Sequence, residues 1–281
     1  MRNIKHRRFV KNRFMQVAKN LKPAKKVSIK KIFLVAFLVS FVCAVVVSTS
    51  SVLLKPYHES NVELEKQRNL LAVIQRDSEL NRIFSKMTST KVQYNILDLN
   101  KGEFLTDKNL NQTHTVLEEL DGFKKERIPQ KQNLAGIKYR PNYMGVYQIK
   151  GEKREYVILP IYGKGYASMI RGYLGLNLTE QIVVGLSIYE QEETPGIGSR
   201  ITNEEWLSQW QGKKFRSDLN GNRLHVSMAH SPSKIENEAY RIDGITGATK
   251  TSMAMDGMLA FWLGDSGYQR FFKKYFETIS K

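Results

Sequence analysis

The chain has 281 residues, one cysteine and a formal net charge of +17. A single cysteine excludes an internal disulfide framework and a cysteine-rich metal or iron–sulfur site within this chain. The charge is local, because residues 1–31 hold 12 Lys and Arg side chains and no Asp or Glu, and removing these 12 leaves +5. A chain of this length can bury a sizeable core, as one large or two small domains.

An apolar run follows the basic tail, from Ile32 to Leu54, and its 23 residues are enough to cross a bilayer as a helix. Lys55-Pro56 is expected to end it. The positive-inside rule predicts a cytoplasmic tail and an extracytoplasmic remainder, anchored in the inner membrane. The tail also suits anionic lipid headgroups, and its place beside a spanning segment argues against nucleic acid. A cleaved signal peptide is the alternative, although residues 47–50 form a poor cleavage site.

A stalk is predicted after the membrane segment. From Tyr57 to Met87, apolar residues recur mostly at three- and four-residue spacing among charged residues, which predicts a helix. We therefore divide the chain into a tail (1–31), a transmembrane helix (32–54), a helical stalk (55–90) and an extracytoplasmic domain (91–281). Within that domain, the polar sequence from Leu97 to Gln132 carries little pattern and is interpreted as an insertion or a surface excursion.

The middle of the chain predicts short strands, since runs rich in Tyr, Val, Ile and Leu alternate with glycine or charged turns. The runs are Tyr143–Ile149, Glu155–Ile161, Met169–Leu178 and Gln181–Ile188, with a further candidate at Arg223–Met228. Residues 163–165 and 193–198 are interpreted as glycine-bearing loops. Trp206 and Trp210 lie one helical turn apart and are predicted to pack on the core.

Two helices are predicted at the C-terminus. The first, Thr251–Leu263, stops at Gly264, a frequent cap position, and Asp265-Ser266 can cap the second. The second helix has an apolar stripe that we interpret as a packing face, formed by Tyr268, Phe271, Phe272, Tyr275, Phe276 and Ile279. Strands in the middle with helices toward both ends predict an α+β fold, with a mostly antiparallel sheet flanked by helices.

The segment from Asp243 to Ser252 places three threonines and a serine around a Gly-Ala pair, directly before an apolar helical stretch. A helix start holds phosphate readily, because its backbone N–H groups are unpaired and its dipole favours negative charge. Together with the two glycine loops, the segment suggests a flavin mononucleotide (FMN). In that hypothesis Thr194 and the N–H groups of residues 196–198 contact the ring system. The alternative is an ordinary N-cap and an ordinary turn.

Other chemistries have less support in the sequence. The usual ATP- and NAD-binding glycine motifs do not occur. The five histidines show no metal-like pairing, so no metal site is predicted. The chain also has neither a Gly-x-Ser-x-Gly elbow nor a recognisable reactive cysteine, and no catalytic residue is predicted.

The segment Asp-Gly-Ile-Thr-Gly-Ala-Thr-Lys-Thr-Ser resembles the flavinylation motif of the FMN-binding domain family. The resemblance to the C-subunit of sodium-translocating NADH:quinone reductases extends further, in order from about residue 43 to the C-terminus. The matching segments are residues 43–49, 67–71, 160–165, 193–198 and 261–267. One departure is Ala167, where the family is expected to have a tryptophan against the flavin ring; Tyr166 is the candidate replacement.

This resemblance implies a covalent flavin. A separate flavin transferase, with FAD as donor, would join FMN through its phosphate to the last hydroxyl of the motif, which is Thr251, with Thr249 as the second candidate. The implied cofactor-binding residues are Thr251, Asp243, Thr246, Gly247, Ala248, Thr249, Lys250, Glu193, Thr194, Gly196, Ile197, Gly198, Tyr166 and Ser168.

The function implied is that of one electron-carrying subunit in a membrane complex that passes electrons from NADH toward ubiquinone while exporting sodium. Its partners would be the other membrane subunits, the lipid bilayer and, during maturation, the transferase, and the chain would be inactive alone. Two alternatives remain open. One is the equivalent subunit of an Rnf-type ferredoxin:NAD complex, and the other is a flavin-free membrane-anchored scaffold.

Overall fold

A computed structural model describes residues 28–78, 80–81, 92–105, 125–151, 153–216, 223–227 and 237–279. Most of the predicted basic tail, the end of the predicted stalk and much of the predicted insertion lie outside these residues. The chain divides into two compact units, Met1–Asn61 and Val62–Lys281, which we describe separately.

Helix α1 runs from Ile29 to Ile74. Its first part, Ile29–Leu54, is long and apolar enough to cross a membrane by length and composition. The helix continues through Lys55 and Pro56, so the prediction that it ends there was wrong. A proline removes only one backbone hydrogen bond, and a helical sequence pattern resumes directly after it. Helix α1 stops at Ile74, inside the predicted stalk; residues 78, 80 and 81 are helical again, and the predicted stalk beyond residue 81 lies outside the described residues.

The second unit contains ten strands among the described residues: β1 (Val92–Asp98), β2 (Glu103–Phe104), β3 (Lys125–Arg127), β4 (Tyr139–Pro141), β5 (Tyr143–Lys150), β6 (Glu155–Lys164), β7 (Met169–Asn177), β8 (Ile182–Glu190), β9 (His225–Ser227) and β10 (Arg241–Asp243). Six of them form the main sheet in the order β2-β1-β5-β6-β7-β8, and every neighbouring pair is antiparallel. The predicted antiparallel sheet is therefore confirmed. In the small sheets, β3 pairs with β4 antiparallel and β10 with β9 parallel.

The central strands are the part of the sheet that the sequence predicted. The four predicted runs are present as β5 to β8, and β9 lies within the fifth candidate. Gly163 and Lys164 pair with β7, so they belong to β6, and the predicted glycine loop starts only at Gly165. Strands β1 to β4 and β10 were not predicted. Polar residues interrupt their short apolar patterns, and the last two residues of β1 fall within the stretch from Leu97 that was interpreted as an insertion.

Both faces of the main sheet are buried, which explains the nearly continuous apolar sequence of its central strands. Val157, Leu159 and Ile161 of β6 belong to the larger hydrophobic core cluster, which includes residues of the C-terminal helices. Tyr156 and Ile158 belong to a smaller cluster on the opposite face, formed with Val73, Ile74, Leu80 and neighbouring side chains. The last turn of α1 thus packs on the sheet.

Two glycines on neighbouring strands leave room for this last turn of α1. Gly175 of β7 and Gly185 of β8 are cross-strand partners. A Cβ atom at Gly175 would lie 2.3 Å from Cγ1 of Val73, and one at Gly185 would lie 2.3 Å from Cδ of Arg76. Arg76 also donates two hydrogen bonds of 2.8 Å to the carboxylate of Glu204. The glycine pair therefore forms a slot in which residues 73–76 lie close to the sheet.

Gly175→Ala is expected to lower the free energy of unfolding by about 1–3 kcal/mol, because the β-branched Val73 cannot rotate away from an added methyl group. Gly185→Ala is the matched control, since the flexible Arg76 side chain can move. Urea unfolding, with hydrogen exchange of residues 70–78, measures both effects. Equal stability of the two variants would contradict the slot.

Short helical segments follow β8, before β9 and β10. Helix α2 (Glu204–Leu207) carries Trp206, and Trp210 follows in a 3-10 turn. Both tryptophans are buried, with ring centroids 5.3 Å apart, so their predicted core packing is confirmed.

Helix α3 (Thr249–Leu263) ends at Gly264 as predicted, and helix α4 (Gln269–Ile279) follows. Asp265 and Ser266 lie in the turn before α4 rather than at its cap. In the predicted stripe, Tyr268, Phe271 and Phe272 are buried and Tyr275 and Phe276 partly buried, while Ile279 is exposed.

Candidate functional site

Three segments of the chain meet around the carboxylate of Glu193, which is 3% exposed. They are the turn between β6 and β7, the loop after β8 that contains Glu193, and the start of α3. Its Oε1 accepts hydrogen bonds from the backbone N–H groups of Ala167 (2.9 Å) and Ser168 (3.2 Å). Its Oε2 accepts from the N–H of Tyr166 (3.2 Å) and from the hydroxyl of Thr251 (2.6 Å). One carboxylate thus joins both predicted loops to the motif.

Two glycines leave room for this carboxylate. A Cβ atom at Gly165 would lie 2.4 Å from Oε1 of Glu193. At Gly198 it would lie 2.7 Å from Oγ1 of Thr251 and 3.0 Å from Cβ of Glu193. A side chain at either position would push Glu193 or Thr251 away. Gly198 was predicted to contact a ring through its N–H group, whereas here its missing side chain has a packing role.

Hydrogen bonding keeps Glu193 ionised. Burial alone would raise its pKa, but the bonds from Thr251 and from three backbone N–H groups outweigh burial and hold the pKa of Glu193 below its ordinary value. A pKa lowered by folding stabilises the folded state at pH values above the unfolded-state pKa. That contribution is therefore present at neutral pH and is lost as the pH falls through the folded-state pKa.

Helix α3 begins two residues earlier than predicted and has no side-chain cap. Its N-cap residue is Ala248, whose methyl group cannot accept a hydrogen bond. The preceding turn is held by Ser252 instead, whose Oγ accepts a bond of 2.9 Å from the N–H of Ile245. Gly247 has a φ of +82°, which favours glycine. An uncapped helix start fits a phosphate group, because first-turn N–H groups are suited to bind an anion.

The two candidate acceptor threonines differ in their surroundings. Thr249 is the first residue of α3 and is exposed, as are Thr246 and Lys250 on either side. Thr251 is 3% exposed, and its hydroxyl already donates to Glu193. Of these two residues, Thr249 is therefore exposed, whereas the hydroxyl of Thr251 is bonded within the domain.

Asp243 is the last residue of β10, and its side chain and backbone form hydrogen bonds within the domain. Its carboxylate accepts a hydrogen bond of 2.7 Å from Arg241. Its carbonyl oxygen accepts from Nε1 of Trp206 (2.8 Å), and its N–H donates to Oε1 of Gln209 (2.9 Å). These bonds fix the strand that leads into the motif. The sequence predicted Trp206 only as a core residue and did not indicate its hydrogen bond to Asp243.

The loop after β8 uses several of its polar groups internally. The carbonyl oxygen of Thr194 accepts from the N–H groups of Ile197 and Ser199, both at 3.1 Å. The N–H of Gly196 donates to Oγ of Ser199 at 3.0 Å, with a left-handed φ of +73°. Two of the three N–H groups predicted to contact a ring are therefore engaged within the loop. The side chain of Ile197 remains 45% exposed.

The turn between β6 and β7 is held on one side and open on the other. Oγ of Ser168 accepts a hydrogen bond of 2.7 Å from the N–H of Glu192, so this predicted site residue links the turn to the neighbouring loop. The ring of Tyr166 is 56% exposed, and Nζ of Lys250 lies 4.7 Å from its centroid. Tyr166 and Lys250 thus form a cation–π pair beside the start of α3.

Comparisons with known proteins agree with this geometry. Residues 165–264 match the family described as the FMN-binding domain, a segment that starts at the Gly165 turn and ends where α3 ends. The chain is 34% identical to the C-subunit of the Na(+)-translocating NADH-quinone reductase of Yersinia pestis over 265 residues, which cover 92% of this chain and 98% of that protein. It is 32% identical to the protein of the same name from Pasteurella multocida, with 89% and 95% covered.

Solved structures show the same fold. The crystal structure of Shewanella oneidensis NqrC aligns with a TM-score of 0.59 at 29% identity, covering 76% of this chain and 97% of that one. The domain from the Gly165 turn to α3 is therefore of the FMN-binding class. More specifically, the chain belongs to the C-subunit family of the Na(+)-translocating NADH-quinone reductase.

Proposed function

We propose that this protein is the electron-carrying subunit of a sodium-translocating NADH:quinone reductase and that it carries FMN covalently at the start of α3. Its membership of the C-subunit family supports this complex, and favours it over the Rnf-type alternative in particular. The observation that carries the cofactor assignment is the uncapped start of α3, with Thr249 and Thr251 in its first turn, inside the segment that matches the FMN-binding domain. FMN supplies the redox chemistry when bound, and the protein positions it.

We propose Thr251, the last hydroxyl of the motif, as the residue that receives the flavin. A transferase must bring its flavin donor to the acceptor hydroxyl, since a threonine hydroxyl is a weak nucleophile alone. The hydroxyl of Thr251 donates to the carboxylate of Glu193 at 2.6 Å, and such an acceptor makes a hydroxyl oxygen more nucleophilic. Thr249, which is exposed at the first position of α3, is the second candidate.

The exposed apolar side chains near the helix start are candidates to contact the flavin ring. Tyr166, Ile197 and Met253 are 56%, 45% and 58% exposed. Since Ala167 stands where the family is expected to have tryptophan, we propose that Tyr166 supplies an aromatic face. The cation of Lys250, beside Tyr166, would favour the nearby phosphate.

The placement in the cell is part of the proposal. The basic tail would lie in the cytoplasm, Ile29–Leu54 would cross the inner membrane, and the flavin domain would lie on the extracytoplasmic side. Other membrane subunits of the complex would be its permanent partners. The transferase would act on the domain after export, and covalent attachment would keep FMN bound where free FMN is scarce.

Coexpression of the full chain with a flavin transferase tests this function. We expect an ultraviolet-fluorescent band on a denaturing gel and a mass increase corresponding to one FMN attached through its phosphate. Omission of the transferase is the control and should abolish the band. If active transferase leaves the chain without fluorescence, a flavin-free scaffold is the better description.

A further inference from the structure

A cavity of about 900 Å³ lies at the C-terminal end of α3, lined by the turn that leads into α4 and by the β3–β4 hairpin, residues 125–141. Its volume is within the usual range of small-molecule pockets, roughly 300–1,000 Å³. Gly264, which caps α3, follows Thr251 by 13 positions, or roughly 20 Å along a helix that rises about 1.5 Å per residue. The cavity is therefore separate from the flavin motif, and the proposed function does not use it.

Cationic side chains dominate the lining of this cavity. Five cations and two carboxylates, those of Glu126 and Asp265, line it, so its formal net charge is +3. The cations are Arg127, Lys131, Arg140, Arg223 and Arg270. An ion pair with Asp256 at 2.7 Å neutralises Arg223, which leaves a net charge of +2. The C-terminus of α3 adds only roughly −0.5 through the helix dipole. The cavity is therefore suited to an anion with two negative charges.

Arg140 is the buried cation of the cavity, with an exposed fraction of 7%. Its Nη1 donates to the carbonyl oxygen of Ser266 at 3.0 Å, and its Nη2 donates to Oδ1 of Asn100 and, at 3.0 Å, to Oε2 of Glu126. Burial lowers the pKa of Arg140 and the neighbouring charge of Arg270 lowers it further, whereas Glu126 acts in the opposite direction. A bound anion would offset the repulsion between these two arginines.

The other cations of the cavity can reach a ligand. Arg127 and Lys131 are exposed and have no ion-pair partner among the residues that the structure describes. Arg270 is also exposed, and its Nη1 donates to the carbonyl oxygen of Asn100 at 2.6 Å. Arginine presents its N–H donors in a planar fork that matches the oxygens of a phosphate, and lysine adds a compact charge. The side chain of Phe261 adds apolar surface that suits an organic body.

We propose that this cavity binds the phosphate-monoester end of an organic molecule. A phosphate monoester carries about −1.5 to −2 charges at neutral pH, which matches the net charge of the cavity better than a single carboxylate does. The organic part would lie against the apolar lining. Two sources can supply this chemistry: a soluble organic phosphate, or the headgroup of a lipid, because the chain is proposed to be anchored in a bilayer.

Titration calorimetry of the full chain in detergent tests the soluble source, with AMP as the probe and inorganic phosphate as the comparison. We expect AMP to bind more tightly than inorganic phosphate, which lacks an organic body. Arg127→Gln and Lys131→Gln should each weaken AMP binding roughly 10-fold, because each removes a charge-assisted hydrogen bond. Lys138→Gln is the matched control. It removes an exposed cation of the same hairpin outside the cavity lining, so binding should stay within about twofold of the wild type.

Hydrogen exchange locates the site and tests the lipid source. AMP should slow the exchange of residues 126–134 and 264–270 in the wild type and in Lys138→Gln but not in Arg127→Gln, with circular dichroism confirming that each variant is folded. The same protection in nanodiscs that contain phosphatidic acid, and not in those of phosphatidylcholine alone, would assign the phosphate to a lipid headgroup. If neither probe protects these segments, or if Arg127→Gln and Lys131→Gln bind both probes like the wild type, the proposal is overturned. Because the flavin takes no part in this site, loss of the proposed function would leave these results unchanged.

Discussion

Replacing Thr251 by Ala is expected to remove the covalent flavin completely, because the last hydroxyl of the motif is then absent from the first turn of α3. The reaction forms a bond between the threonine oxygen and the phosphorus of the FMN half of FAD, AMP leaves and the hydroxyl proton is released. Thr249, the exposed hydroxyl residue of the same turn, is still present in this variant and serves as the comparison. A denaturing gel under ultraviolet light, followed by peptide mass spectrometry, measures the loss.

Two conservative variants make the assignment specific. Thr251→Ser keeps a hydroxyl and should retain the flavin, which separates loss of the nucleophile from loss of the fold. Thr249→Ala should retain it as well, with the adduct on residue 251. Loading of Thr251→Ala at the wild-type level, together with an unloaded Thr249→Ala variant, would instead move the bond to Thr249.

The motif was visible in the sequence, but the difference in burial between its threonines was not. Spacing and hydroxyl content predicted that residues 243–252 precede a helix, and the resemblance supplied the flavin. Neither indicated which hydroxyl is buried, because that depends on Glu193, which lies 58 positions from Thr251 in sequence. Contacts at such separation follow from how the strands order the loops, and no local pattern encodes them. The same reason explains why Gly165 and Gly198 were interpreted only as loop glycines.

The fold was predictable where burial is strong and continuous. Strands β5 to β8 bury side chains on both faces of the sheet, so their sequences are rich in apolar residues. Strand β1 was missed because Gln93 and Asn95 interrupt its apolar residues, and only pairing with β5 along its whole length makes it a strand. Strand β10 has three residues, and its neighbour β9 supplies the pairing. Pro56 caused the opposite error. It predicted the end of a helix, but the helix continues through it.

One edge of β6 depends on aromatic side chains from the C-terminus. Strand β6 pairs with β5 only from Glu155 to Ile158, and beyond that point its carbonyl groups on this side need other partners. Nε1 of Trp262 donates to the carbonyl oxygen of Tyr162, and the hydroxyl of Tyr268 donates to that of Pro160, both at 2.6 Å. Because the N–H and C=O groups of one strand residue point to the same side, proline at position 160 removes no donor from the ladder with β7. The C-terminal segment is thus joined to β6, the strand that leads into the turn between β6 and β7.

Trp262→Ala is expected to lower the free energy of unfolding by about 3–5 kcal/mol, the usual range for removing a fully buried tryptophan. Trp262 is 0% exposed and packs against the rings of Tyr162, Phe261 and Tyr268, with centroids 4.8, 5.2 and 5.5 Å away. The variant leaves a cavity at the base of α3 and also removes the donor to the carbonyl of Tyr162. Denaturant unfolding of the full chain in detergent, followed by circular dichroism, measures the change.

Two further variants separate the causes of this loss. Trp262→Phe keeps most of the ring packing but not the donor, so it should lose less than Trp262→Ala, with about 1 kcal/mol of its loss coming from the hydrogen bond. Met253→Ala, on the exposed face of the same helix, should stay within about 0.5 kcal/mol of the wild type. If Trp262→Ala proved as stable as Met253→Ala, the packing of α3 on β6 would not determine the stability of the domain. The position of Thr251 would then depend on the contacts at its own end of the helix, chiefly its hydrogen bond to Glu193.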